Sequence, residues 1–183
     1  EALRPILRAA CVALFRAILA YFSTKSWKDL SIYRITRQEG IVVVTINYRL
    51  GAFGFLTVPG GDSNCGIWDQ VQALEWIRSE IHNFGGDPDN VTIIGESAGG
   101  MSCGVLLTSP VAQSLFKRAI LMSGALSNVM MQEDSAETGR KFFKFLGIEG
   151  DPSVEALEGA TTAALYTASL TLIMSGDAGK MPW

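Results

Sequence analysis

The sequence predicts an α/β domain built on a parallel sheet, and three observations carry that expectation. Two short runs, residues 41–47 (IVVVTIN) and 91–95 (VTIIG), are apolar with little alternation, as strands buried on both faces are. Between them Ile67, Val71, Leu74, Ile77, Ile81 and Phe84 recur at spacings of three and four, the period of a helix. Gly95-Glu96-Ser97-Ala98-Gly99-Gly100 then joins the second run directly to another helical stretch. Strands separated by helices in this order make βαβ units.

The chain has 183 residues, 48% of them hydrophobic, with 15 basic and 18 acidic side chains and a net charge of −3. A disordered chain is excluded, because that composition buries enough apolar surface to fold. Nucleic acid is not an expected partner, since its recognition rests on a large excess of Lys and Arg. Charge is uneven, however: residues 1–40 carry seven basic and three acidic side chains, and the remaining 143 carry eight and fifteen. Cys11, Cys65 and Cys103 are odd in number and too far apart for a CxxC pair, so they do not set the compartment. The chain opens at Glu1 rather than Met, which reads as a processed or truncated start. No apolar run reaches the roughly eighteen residues a transmembrane span needs.

Taken in order, Leu3, Ile6, Leu7, Cys11, Leu14, Ile18, Leu19 and Phe22 repeat at three and four while Arg4, Arg8 and Arg16 share the opposite face. That pattern predicts a basic amphipathic helix over residues 3–22, read as packing on the sheet rather than lying on a membrane surface. Residues 23–40 are polar and connect elements. After the strand at 41–47 come YRLGAFGFL and a turn at Pro59-Gly60-Gly61-Asp62. The helix beginning near Ile67 has Asp69 close to its start and Gly85-Gly86 as its stop. A strand at 91–95, a helix to about Ser109 and a strand ending in RAILM (118–122) follow. Helices are expected near 134–146 and 160–174, separated by residues 147–152. Asn90-Val91-Thr92 fits a glycosylation sequon but sits where the chain enters a buried strand, so the structural reading is preferred. Cys103 reads as a small core residue.

The feature with chemical content is Gly95-Glu96-Ser97-Ala98-Gly99-Gly100, which fits G-x-S-x-G between a buried strand and a helix. The chain must turn from strand to helix within a residue or two. This forces strain on the serine and small neighbours around it. Ser97 Oγ then stands above the C-terminal edge of the sheet, where the Ala98 amide, at a helix N-terminus, is placed to receive an oxyanion.

These residues resemble the type-B carboxylesterases and cholinesterases, which have the α/β-hydrolase fold. The resemblance runs through IVVVTINYRLGAFGFL (41–56), NCGIWDQVQALEWIRSEIHNFGGDPDNVTIIGESAGG (64–100) and SLFKRAILMSG (114–124). It covers residues 41–147 well and the tail weakly, where Ser175-Gly176-Asp177 with Met181-Pro182 looks like a degraded Asp-Gly turn. Residues 1–40 do not share it, which divides the chain into a divergent segment, 1–40, and a partial carboxylesterase domain, 41–183. The resemblance implies Ser97 as acyl nucleophile, Ala98 as oxyanion donor and Glu96 as the acidic neighbour of the site. It also implies a structural ion pair between Arg49 and Asp69, a small carboxylic ester as substrate, and no metal or other cofactor. A secreted or ER-luminal setting is implied by the resemblance alone.

The family's triad runs Ser, acid, His. Only 86 residues follow Ser97 and none is histidine; the sole histidine, His82, precedes it at the far end of the strand. The glycine-rich oxyanion loop belongs before residue 41, where only Gly40 stands. Losing one oxyanion donor costs about 2.7 to 4 kcal/mol, and losing the base removes most of the rest. The expectation is therefore an α/β-hydrolase fold with an incomplete, mostly parallel sheet flanked by helices, belonging to a serine esterase but inactive as this chain alone. The triad acid and histidine would lie outside it. The alternatives are a non-catalytic cholinesterase-like adhesion or binding protein and a truncated gene product. The basic helix stands where the fold needs a strand, so the strand at 41–47 loses a neighbour, and open sheet edges and self-association are expected.

Overall fold

The computed structural model of the chain describes residues 9–14, 41–124 and 129–177. These divide into two compact units, one drawn from Glu1–Asn47 and Gln70–Leu126, the other from Tyr48–Asp69 and Ser127–Trp183.

The first unit holds a four-stranded parallel sheet, β1 (Ala9–Leu14), β2 (Val42–Thr45), β3 (Asp87–Glu96) and β4 (Arg118–Met122), in the order β2-β1-β3-β4. The basic helix expected over residues 3–22 is overturned for residues 9–14, which form a strand; the remainder of that span lies outside the described residues. β1 is a central strand: Ala10 to Ala13 pair with Val42 to Thr45 on one side, and Ala10 to Leu14 with Val91 to Gly95 on the other. The physical reason is that AACVAL carries no charge and is short enough to read as either buried helix or buried strand. Backbone hydrogen bonds to two neighbouring strands outweigh the modest helix propensity of Ala and Leu. The expected loss of a strand beside residues 41–47 is corrected with it, because β1 fills that position.

β3 is longer than the apolar run at 91–95 because it takes in Asp87 to Asn90. Its register with β1 shifts between Ala9, opposite Asp87, and Ala10, opposite Val91. Pro88 lies within the skipped stretch, and a proline cannot donate to the ladder, so an irregularity there is the expected solution. Asn90 is 8% exposed and accepts a 2.6 Å hydrogen bond from Arg118 Nη1, which leaves the sequon asparagine no room for a glycan.

Two helices contribute to this unit. α2 is numbered after a short helix of the second unit, α1 (Gly51–Phe55), and spans Cys65–Glu80. It buries Gln70, Val71, Leu74 and Ile77 and passes into a 3-10 turn, Ile81–Phe84, closed by Gly85 at φ 78°. Phe84 is not part of the buried face: it is exposed and sits against Trp76, ring centroids 5.9 Å apart. α3 (Ala98–Thr108) lies against β3, β4 and β1 and buries Ala98, Gly99, Gly100, Ser102, Cys103, Gly104 and Leu106. Its three glycines allow close backbone approach, which is how a helix can begin within one residue of a strand.

The second unit packs α1, α4 (Gln132–Phe145) and α5 (Thr162–Met174) around Leu56, Val58, Phe142, Phe143, Ala168 and Leu172. α4 stops at Gly147, φ 73°, where Gly147 N–H and Ile148 N–H return to the carbonyls of Lys144 and Phe143. The Thr161 hydroxyl caps α5 by accepting from Ala164 N–H at 3.2 Å. Both helices fall where the periodicity places them. Among the described residues no helix is long and apolar enough to cross a membrane.

Candidate functional site

The site is built where β3 becomes α3. Glu96 is the last residue of β3, Ala98 the first of α3, and Ser97 alone makes the turn. Its backbone pays for that in strain: φ is 53° and ψ −116°, a conformation that a residue with a Cβ rarely adopts. Two backbone hydrogen bonds hold it. Ser97 N–H donates to Met122 O at 2.8 Å, tying the turn to β4, and Ser97 O accepts from Met101 N–H at 3.0 Å, starting the helix. Beneath it the chain doubles back so tightly that a Cβ on Gly95 would overlap the carbonyl carbon and oxygen of Gly99. The sequence pattern is thus a steric requirement of this turn.

Glu96 and Ser97 are half-buried and Ala98 is 3% exposed. Helix geometry leaves the first amides of α3 without intrahelical acceptors, so the Ala98 N–H is available at the edge where Ser97 stands. Adjacent in register, Glu96 lies beside Met122 and Gly95 beside Leu14, so the turn sits at the C-terminal edge of three neighbouring strands. An open sheet of this type binds ligands at that edge.

Two further features of this edge carry no motif in the sequence. Ser123, directly after β4, has φ 51°, a second non-glycine residue in the left-handed region at the same edge. A Cβ on Gly124 would meet Gly100 C at 2.5 Å and Met101 N at 2.6 Å, so β4 exits against the first turn of α3. The signal available was Ser-Gly immediately after an apolar run, a sharp turn with a close approach.

Cys103 lies deeper on α3, fully buried, and burial pushes its thiol up to about 12, so it is an inert core group. His82 is exposed in the 3-10 turn that precedes β3. Ser97 follows the far end of that ten-residue strand, about 30 Å on at 3.3 Å per residue, and His82 is not its base.

Arg49 and Asp69 form the expected pair. Arg49 Nε and Nη2 donate to Asp69 Oδ2 and Oδ1 at 2.8 and 2.7 Å, and the Arg49 backbone N–H adds a third bond at 2.9 Å. Gly66 is kept small by the same segment, since a Cβ there would stand 2.5 Å from the Arg49 carbonyl oxygen. The Arg49 guanidinium holds the Asp69 carboxyl below its ordinary value of 3.8, against the opposing effect of burial. A carboxyl with a depressed folded pKa stabilises the fold above its ordinary value, and that stabilisation is lost as pH falls through the folded value. Asp69→Asn should therefore lower the urea midpoint at neutral pH and flatten its fall below roughly pH 4. Parallel acid limbs for the two proteins would show that the pair is not linked to folding. In the tail, Asp177 accepts from Lys141 Nζ at 2.8 Å, while Met181 and Pro182 lie outside the described residues.

The Carboxylesterase family model matches residues 20–183, beginning inside the segment that showed no resemblance by motif. The para-nitrobenzyl esterase of Bacillus subtilis (strain 168) is 50% identical over 119 residues, covering 63% of this chain and 24% of that protein. An acetylcholinesterase of Myxine glutinosa is 39% identical over 143 residues, covering 75% of this chain and 41% of that one. Among solved structures, a PNB esterase superposes with a TM-score of 0.75 at 39% identity, over 89% of this chain and 35% of its own. A carboxylesterase of Geobacillus stearothermophilus gives 0.77 at 37% identity, over 90% and 36%. The chain therefore spans between about a quarter and two fifths of the length of these proteins.

Proposed function

Because this chain belongs to the carboxylesterase family, a family of carboxylic ester hydrolases with the α/β-hydrolase fold, we propose that Ser97 is the acyl nucleophile of a serine esterase acting on small-molecule carboxylic esters. The observation that carries this reading is the strained Ser97 between β3 and α3, with Gly95 closed against Gly99 beneath it. Ser97 Oγ attacks the ester carbonyl, the Ala98 N–H receives the developing oxyanion, and its collapse breaks the ester C–O bond, so that the alcohol leaves with the serine proton and the acyl group stays on Oγ; Glu96 supplies the acidic wall beside them. The names of similar proteins agree in kind: one acts on a para-nitrobenzyl ester, another on fumonisin B1.

The 183 residues by themselves contain no histidine after Ser97. A serine without a base keeps its ordinary high pKa and attacks slowly. With an activated aryl ester, the chain alone should turn over no faster than its Ser97→Ala variant, while excess ester slowly leaves an acyl group on Ser97, detectable by mass. Clear Ser97-dependent turnover would mean that another residue supplies the base. An ester that never acylates Ser97 would remove the nucleophile assignment.

Self-association belongs to the same proposal. Among the described residues β4 has a neighbour on one side only, with Ile120 46% exposed and Met122 37% exposed. An apolar strand with free N–H and C=O groups templates pairing between chains. Light scattering on the isolated chain should report oligomers, and Ile120→Lys should shift them toward monomer. A monodisperse parent chain would refute this.

A further inference from the structure

Gln70 is fully buried on α2, and its Oε1 is a buried side-chain polar atom with no hydrogen-bond partner among the described residues. Its Nε2 donates to Ser102 Oγ at 3.2 Å. Ser102, 3% exposed, follows Ala98 by four residues on α3 and so shares its face one turn on. Side chains on a helix lean toward its N-terminus, which brings the Ser102 hydroxyl under the first turn. Gln70 thus ties α2 to the turn that begins at Ser97.

Stability does not account for this pair. A buried amide with one end unpaired is destabilising, and two apolar side chains of similar volume would be neutral or better.

We propose that Gln70 is a positioning residue, fixing through Ser102 the first turn of α3 and with it the direction of Ser97 Oγ and the Ala98 N–H. The inference rests on Ser97 being the nucleophile. It predicts that stability and reactivity move in opposite directions when the pair is removed, which a merely structural contact would not do.

The test uses the full 183-residue chain. Thermal midpoint and the rate of fluorophosphonate labelling are measured for the parent, Gln70→Met, the Gln70→Met/Ser102→Ala double variant, and Ser97→Ala as the baseline. The double variant should melt at or above the parent temperature while Ser97 labels about tenfold or more slowly, the scale of a small misplacement of reacting groups. Gln70→Met alone should show the slower labelling too. A double variant labelled at the parent rate would overturn the proposal, and so would one that melts well below the parent. A parent chain that is not labelled at Ser97 would instead overturn the nucleophile reading, and this inference with it.

Discussion

Gly95→Ala should collapse the strand-to-helix turn, lowering the unfolding midpoint and abolishing Ser97 labelling together. The added methyl would overlap the Gly99 carbonyl and stand 2.7 Å from Gly100 N, all backbone atoms with no rotamer to yield. α3 cannot retreat, because a Cβ on Gly100 would itself be only 2.9 Å from Met122 O, so the helix already rests on the exit of β4. Overpacking of this kind costs about 3 kcal/mol or more when the neighbours are rigid. Gly147→Ala is the fitting control. It has nothing within 4 Å and only a positive φ of 73° to oppose a side chain, so its cost should be about 1 kcal/mol and its labelling unchanged. Urea titration with near-ultraviolet readout separates the two. A Gly95→Ala protein with the parent midpoint and parent labelling would show that the turn is looser than described.

How much of this was legible beforehand depends on how local the cause was. The closure of Gly95 against Gly99, with Ser97 turning between them, lies within five residues of chain, so the motif and its flanking run and helix could be read directly. α4 and α5 likewise announce themselves by period and by Gly147. β1 could not be read this way: Ala9–Leu14 contains one β-branched residue, Val12, and what makes it a strand is pairing with Val42 to Thr45 and Val91 to Gly95, far along the chain. Phe84 fitted the apolar period of α2, yet a helix that tightens into a 3-10 turn rotates it out of the buried face. Ser123 and the Gln70–Ser102 bond are tertiary facts, visible only once β4 and α2 are placed beside α3. Arg49 and Asp69 stand between these cases, since they are twenty residues apart and the family resemblance rather than any pattern paired them.

The second large effect is all-or-none. Among the described residues Ser97 is the serine that stands at a strand-to-helix turn with free helix amides beside it, so a reagent that captures nucleophilic serines should find it and no other residue. Incubating the chain with excess fluorophosphonate, then digesting and mapping the adduct by mass spectrometry, tests this directly. Labelling should be slow, because no histidine follows Ser97 in these 183 residues, with the adduct confined to the peptide carrying Gly95 to Gly100 and absent from Ser97→Ala. An adduct on any other residue, or one that persists in Ser97→Ala, would contradict it.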